Sequence, residues 1–179
     1  MKILITGPPR SGKSTLISKL IEDLQKEYIL RGFLTPEIRM NGKREGFDVK
    51  DLKTQERILL AHKKGPQSEF KLGSYNVYVE NFNEYLKENL FPQLKEEKEN
   101  SEKFLLVIDE IGKMELYSKL FQDFIKTSFR TNQKIIATIG KTLNHPVKDD
   151  LLALSHLKYY KLNRDHFDNI FQEISSYFD

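Results

Sequence analysis

The chain has 179 residues, enough for one domain with a sizeable core, and a formal net charge of +3 spread over interleaved basic and acidic residues. With no long basic block, a nucleic-acid footprint is not expected, and the absence of cysteine excludes disulfides, zinc–thiolate sites and thiol nucleophiles. No apolar run approaches bilayer length and the first strand candidate begins at residue 2, so neither a membrane span nor a signal peptide is expected and the chain reads as cytoplasmic.

Lys2-Ile3-Leu4-Ile5-Thr6 opens the chain as a short apolar strand. Gly7-Pro8-Pro9-Arg10-Ser11-Gly12-Lys13-Ser14 follows, matching G-x-x-x-x-G-K-[ST] at every fixed position, with Thr15 next. Leu16, Ile17, Leu20, Ile21 and Leu24 then keep helical spacing. A glycine-rich turn merely joining strand to helix is the plainer alternative, but strand, loop and helix in this order are the context that makes the motif a phosphate cradle. The glycines let the backbone curl so that successive N–H groups face phosphate oxygens. Lys13 can reach the β- and γ-phosphates, the Ser14 hydroxyl can ligate magnesium, and the helix points its positive end at the same anion.

Tyr28 to Met40 reads as extended, interrupted by Gly32 and Pro36. Asn41-Gly42 signals a turn, Arg44 to Leu52 the returning strand, and Arg57 to Ala61 one more. Residues 28 to 62 are thus expected to form a β-rich insertion, and residues 63 to 75 a loop that could close over a ligand or simply connect. A helix is expected from Asn81, with Phe82, Tyr85, Leu86, Leu90 and Leu94 on one face and a kink or break near Phe91 caused by Pro92. The run Lys95 to Lys103 reads as a solvated helix end and loop.

Phe104 to Ile108 is apolar on both faces, as in a central parallel strand, and ends in Asp109-Glu110. An amphipathic helix follows from Leu116 to Phe129, a strand from Lys134 to Ile139, a short helix from Val147 to Leu154, a last strand from Leu157 to Leu162 and a terminal helix striped by Phe167, Ile170, Phe171, Ile174 and Phe178. Strands alternating with helices predict an α/β domain over residues 1–179, with a mostly parallel central sheet and helices on both faces. The ligand then lies at the carboxyl ends of the strands, where the first loop, Asp109-Glu110 and the loop after Ile139 should meet.

Beside such a loop, Asp109 is placed to serve the metal and Glu110 to orient and deprotonate a water facing the γ-phosphate. Arg10 and Lys113, and beyond them Arg39, Arg44 and Arg164, are candidates for an internal arginine-finger-like cation, although each alone reads first as a surface or ion-pair residue. His62, His145, His156 and His166 show no metal-ligand spacing.

Gly7 to Ser14, Gly32 to Arg39, Gly42 with Arg44 to Phe47, Gly73-Ser74-Tyr75, Asp109 to Leu116, Ala137 to Ile139, His145-Pro146 and Asn163-Arg164-Asp165 together resemble the small P-loop nucleoside-triphosphatases of thermophile and cancer-related type, close in fold to nucleotide kinases. The Asp109 to Leu116 run is the most distinctive part. The resemblance implies a P-loop NTPase fold of RecA/nucleotide-kinase-like type and magnesium-dependent hydrolysis of nucleoside triphosphates with broad tolerance of the base. By position it gives Gly7 to Thr15 to the phosphates, Ser14 and Asp109 to Mg²⁺, Lys13 and Glu110 to catalysis, and Asn163 and Arg164 to the base. Pro8-Pro9-Arg10 departs from a glycine-rich loop in being bulkier and more basic.

Two other functions fit the same core. A nucleotide or nucleoside kinase would pass the γ-phosphoryl group to an acceptor, but the expected arginine-rich lid is missing: only Arg130 ends the Leu116–Phe129 segment. A nucleotide-switched binding module ranks third, because no Asn-Lys-x-Asp base-reading run occurs. The chain is expected to act as a monomer on nucleoside triphosphates.

Overall fold

The computed structural model describes residues 1–98 and 103–178; the middle of the charged run after Lys95 lies outside the described residues. Ten strands form one sheet: β1 (Lys2–Gly7), β2 (Ile29–Leu34), β3 (Glu37–Met40), β4 (Lys43–Asp51), β5 (Arg57–His62), β6 (Phe70–Leu72), β7 (Tyr75–Val77), β8 (Phe104–Ile111), β9 (Lys134–Gly140) and β10 (Leu157–Lys161). Five of them, in the order β10-β1-β9-β8-β2, run parallel and form the core. The sheet continues antiparallel through β4-β5-β7-β6, with β3 paired to β4.

Because successive strand residues point to opposite faces, the apolar runs feed two layers at once. Ile3, Ile5, Leu105, Val107 and Ile136 pack with α1 (Lys13–Leu24) and α6 (Phe167–Ser175) on one face. Leu4, Leu106, Ile108, Ile135 and Ala137 pack on the other. There they meet α2 (Val79–Tyr85), α3 (Phe91–Lys98), α4 (Lys119–Ser128) and α5 (Pro146–Leu152). The expected α/β architecture, a central parallel sheet covered on both sides, is what forms.

Four expectations need correction. The insertion does not begin at residue 28, because β2 is a core strand in parallel register with β8, Ile29 to Leu34 facing Phe104 to Asp109. Gly32 makes that pairing possible: its φ is +121°, and a Cβ there would stand 2.9 Å from the Val107 carbonyl carbon and nearer still to its oxygen. The inserted part is therefore β3 to β7. Residues 63 to 75 are not all loop, since β6 and the start of β7 form a hairpin through Leu72 and Tyr75.

Pro92 does not break its helix. One π turn, Leu86–Leu90, joins α2 to α3, and the proline falls in the first turn of α3. The wider turn accommodates the missing N–H while Phe82, Tyr85, Leu86, Leu90 and Leu94 all stay buried on one face. The helix expected from Leu116 starts later, after a 3₁₀ turn at Glu115–Tyr117, where the Ser118 hydroxyl caps α4 by accepting from the Phe121 N–H at 3.0 Å.

Candidate active site

β1 delivers Gly7 to the carboxyl edge of the sheet, and the chain turns back into α1 within five residues. Only glycine fits at position 7, where a Cβ would lie 2.8 Å from the Leu162 carbonyl oxygen and closer to the Ser11 hydroxyl. Arg10 (φ 63°) and Gly12 (φ 96°) both adopt left-handed backbone, the conformation that winds the loop. The Ser11 N–H donates to the Pro8 carbonyl at 3.2 Å, and the Leu16 N–H to the Gly12 carbonyl at 2.8 Å. Lys13 folds over the loop, its ammonium donating to the carbonyls of Gly7 (3.0 Å) and Pro8 (3.4 Å). Inside it, the Ser11 hydroxyl is buried without a protein partner among the described residues.

The acidic pair sits where β8 leaves the β9 ladder: Ile108 pairs with Ala137, the next pair is Ile111 with Ile139, and Asp109 and Glu110 fall in the irregularity. Irregularities of this kind re-aim side chains. The Asp109–Glu110 peptide is cis. Asp109 is buried, which raises its carboxyl above the ordinary range, while hydrogen bonds from Thr138 and Ser14 and the charge of Lys13 pull the other way. Thr138 donates to Asp109 Oδ1 at 2.5 Å. Glu110 is also raised, first by burial and then by the neighbouring Asp109 charge, with Lys13 opposing.

β9 separates the loop strand β1 from the acidic strand β8 and ties them together. The Thr6 hydroxyl donates to the Ile139 carbonyl (3.0 Å), and Thr138 reaches Asp109 from the same strand. On the other side, the Thr35 hydroxyl donates to the Asp109 carbonyl (2.8 Å) and accepts from the Glu110 N–H (3.1 Å). Glu115 completes a carboxylate group. Burial, with Glu110 adding to it, pushes Glu115 up to about 8. Gly112 lets Glu115 approach, since a Cβ on it would lie 2.5 Å from Glu115 Oε2 and 2.9 Å from Glu110 Oε1.

These groups open into a cleft of about 830 Å³ that runs from the loop to the inserted strands. Gly7, Pro9, Arg10, Lys13 and Ser14 line it with Asp109, Glu110 and the segment Gly140–Leu143, so the three expected loops do meet. Lys113, Arg39 and Arg44 also line it. Arg164 is not among the lining residues; with Asn163 it is exposed and lies beside the loop, after Leu162 at Gly7 and before Phe167, whose ring is 3.5 Å from where a Gly12 Cβ would be. Pro8, Ser11, Gly12 and Thr15 belong to the loop and first turn without lining the cleft. Of the histidines, His145 Nδ1 caps α5 by accepting from the Val147 N–H (3.1 Å), His62 Nδ1 accepts from the Lys64 N–H (3.0 Å), and His166 is exposed.

Thr35, Thr138 and Glu115 are the neighbours of the acidic pair that residue-by-residue reading does not single out. Each is distant in sequence from the group it touches or is hidden in an apolar context. A threonine in an otherwise apolar buried strand, such as Thr138, is the one such signal available. Among the described residues no three His, Cys, Asp or Glu side chains gather as a protein-only metal cage, and no helix is long and apolar enough to cross a membrane.

The family model described as NTPase matches residues 2–175. The chain is 36% identical over 176 residues to the nucleoside-triphosphatase THEP1 of Thermotoga sp. (strain RQ2), covering 98% of this chain and 94% of that one. It is also 36% identical to the THEP1 nucleoside-triphosphatase of Aquifex aeolicus (strain VF5), covering 98% of both. The crystal structure of THEP1 from Aquifex aeolicus superposes with a TM-score of 0.87 at 33% identity, covering 100% of this chain and 99% of that one. The solution structure of a human cancer-related nucleoside triphosphatase superposes at 0.76 and 28% identity, covering 98% and 95%.

Proposed function

The chain belongs to the NTPase family, and from that premise we propose that it hydrolyses nucleoside triphosphates, ATP and GTP among them, to diphosphate and phosphate with Mg²⁺. One observation supports this most: Ser14 and Lys13 of the loop converge on Asp109, two strands away, with Glu110 next to it facing the same cleft.

In this reading the loop N–H groups and Lys13 hold the β- and γ-phosphates, which draws Lys13 away from the Gly7 and Pro8 carbonyls. Ser14 and Asp109 are hard oxygen donors of the kind magnesium prefers, too few for a cage, so the ion would share its remaining positions with phosphate oxygens and water. Bound there, magnesium supplies charge neutralisation at the phosphates. Asn163 and Arg164, beside the loop, approach the base. Glu110 accepts a proton as a water oxygen bonds to the γ-phosphorus; the bond from that phosphorus to the bridging oxygen breaks, and the diphosphate leaves. Burial holds the Glu110 carboxyl above its usual range, nearer the working pH of a general base. Thr35 fixes the backbone on which it stands.

Phosphate release from ATP, GTP, CTP and UTP with magnesium tests the proposal, alone and with nucleosides or monophosphates added. Glu110→Gln is expected to lose about 100-fold or more in turnover while still binding nucleotide, and Lys13→Ala to lose binding. Parent-like turnover in Glu110→Gln would overturn the role of that residue. Release that waits for an acceptor, with phosphorylated acceptor as product, would make the enzyme a kinase instead.

A further inference from the structure

The cleft is larger than the phosphate site. Its far half is built by the inserted strands, where Arg39, Lys43, Arg44 and Lys63 face one carboxylate, Glu37. Glu37 positions the two arginines: it accepts from Arg39 Nε at 2.8 Å and from Arg44 Nη1 at 3.1 Å. Arg39 Nη1 also donates to the Gly42 carbonyl (3.0 Å), and Arg44 Nε to the Tyr75 hydroxyl (3.0 Å). Both guanidinium groups are thereby held at one place, and these four cations against one carboxylate leave this half of the cleft with an excess of three positive charges, which suits a phosphate group.

Beneath the cations lies an aromatic floor. Phe47 and Tyr75 are half-buried with ring centres 5.5 Å apart, and Leu72 lines the cleft beside them. The Arg44 guanidinium lies 5.3 Å from the Phe47 ring centre, and the Lys63 ammonium 5.5 Å from that of Tyr75. An aromatic surface rimmed by excess cations recognises a planar ring bearing a phosphate. A triphosphate on the loop, with its base toward Asn163 and Arg164, leaves this half free.

We propose that the inserted strands form a second ligand site, distinct from the phosphate loop, for a nucleoside monophosphate. Its phosphate is held by Arg44 and Lys63 and its base lies against Phe47 and Tyr75. The inference depends on the function proposed above only for where the triphosphate sits.

The test titrates AMP by calorimetry into the protein saturated with a non-hydrolysable triphosphate analogue and magnesium. Inorganic phosphate and a 5′-phosphorylated trinucleotide are titrated in parallel. One AMP is expected to bind per chain with the analogue in place. The double variant Arg44→Ala/Lys63→Ala should weaken AMP about tenfold or more, and Lys63→Ala alone should weaken AMP while leaving analogue affinity unchanged. Phe47→Leu should weaken AMP and spare inorganic phosphate, and thermal melts identify any variant that has lost the fold.

Absence of AMP binding, competition between AMP and the analogue, or unchanged affinity in the double variant would overturn the proposal. So would phosphate binding as tightly as AMP, which would leave only an anion hole. Trinucleotide binding tenfold tighter than AMP would reassign the site to a strand end. In a parallel incubation with hydrolysable ATP and magnesium in place of the analogue, AMP that emerges as the diphosphate would overturn the hydrolytic reading while supporting this site, so the two failures are separable.

Discussion

Replacing Thr138 with valine removes one hydroxyl from the middle of the site. Thr138 is fully buried, and its hydroxyl donates to Asp109 Oδ1 at 2.5 Å. Valine occupies nearly the same volume, so the change is chiefly electrostatic. A hydrogen bond to an ionised group contributes roughly 1.5–3 kcal/mol. The bond favours the ionised form and so opposes the burial that raises Asp109; without it, Asp109 moves further up.

The sign follows by linkage. Asp109 titrates above its unfolded value in the folded chain, so its contribution is unfavourable once pH passes the unfolded value, and the variant enlarges that contribution. Measured by urea unfolding of the metal-free protein, the difference between variant and parent should be smallest in acid and grow as pH rises and the carboxyl ionises. The difference should open to roughly 1.5–3 kcal/mol by about pH 8. A stability difference that does not change with pH would refute the assignment of Thr138 as the donor that keeps Asp109 charged.

The backbone and the third carboxylate make separate predictions. Gly32→Ala forces a Cβ onto the Val107 carbonyl at a φ of +121°, and should cost more than about 4 kcal/mol. Gly42→Ala, at φ +75° with open space around it, should cost about 1–2 kcal/mol; equal melting temperatures for the two would contradict the close approach of β2 to β8. Glu115 titrates near 8 in the folded chain, so its burial costs the parent increasing stability as pH rises from its ordinary value to about 8. Glu115→Gln keeps a neutral acceptor of the same shape, and should match the parent in acid and exceed it by up to about 5 kcal/mol in alkali. Unfolding curves that stay parallel across that range would count against a buried, protonated Glu115.

Local signals in the chain were enough for the parts of this protein made from contiguous residues. Strand, loop and helix around Gly7 to Ser14 are read from spacing because they form one uninterrupted segment whose winding depends on its own residues. Asp109 and Glu110 are legible for the same reason, as the acidic end of an apolar strand. Nothing local says which strands become neighbours. β2 looked like the start of an insertion because its partner β8 lies some seventy residues further on, and that pairing depends on the fit of Gly32 against Val107. The β6–β7 hairpin is too short for its alternation to stand out, and Pro92 is absorbed by a π turn because burial of Tyr85, Leu86 and Leu90 outweighs the local break. Only the tertiary structure places β9 between the loop strand and the acidic strand. Thr138 and Thr35 come into hydrogen-bond contact with the acidic pair because strand pairing brings them there from distant parts of the chain, and Glu115 comes into charge contact with it because Gly112 allows the close approach.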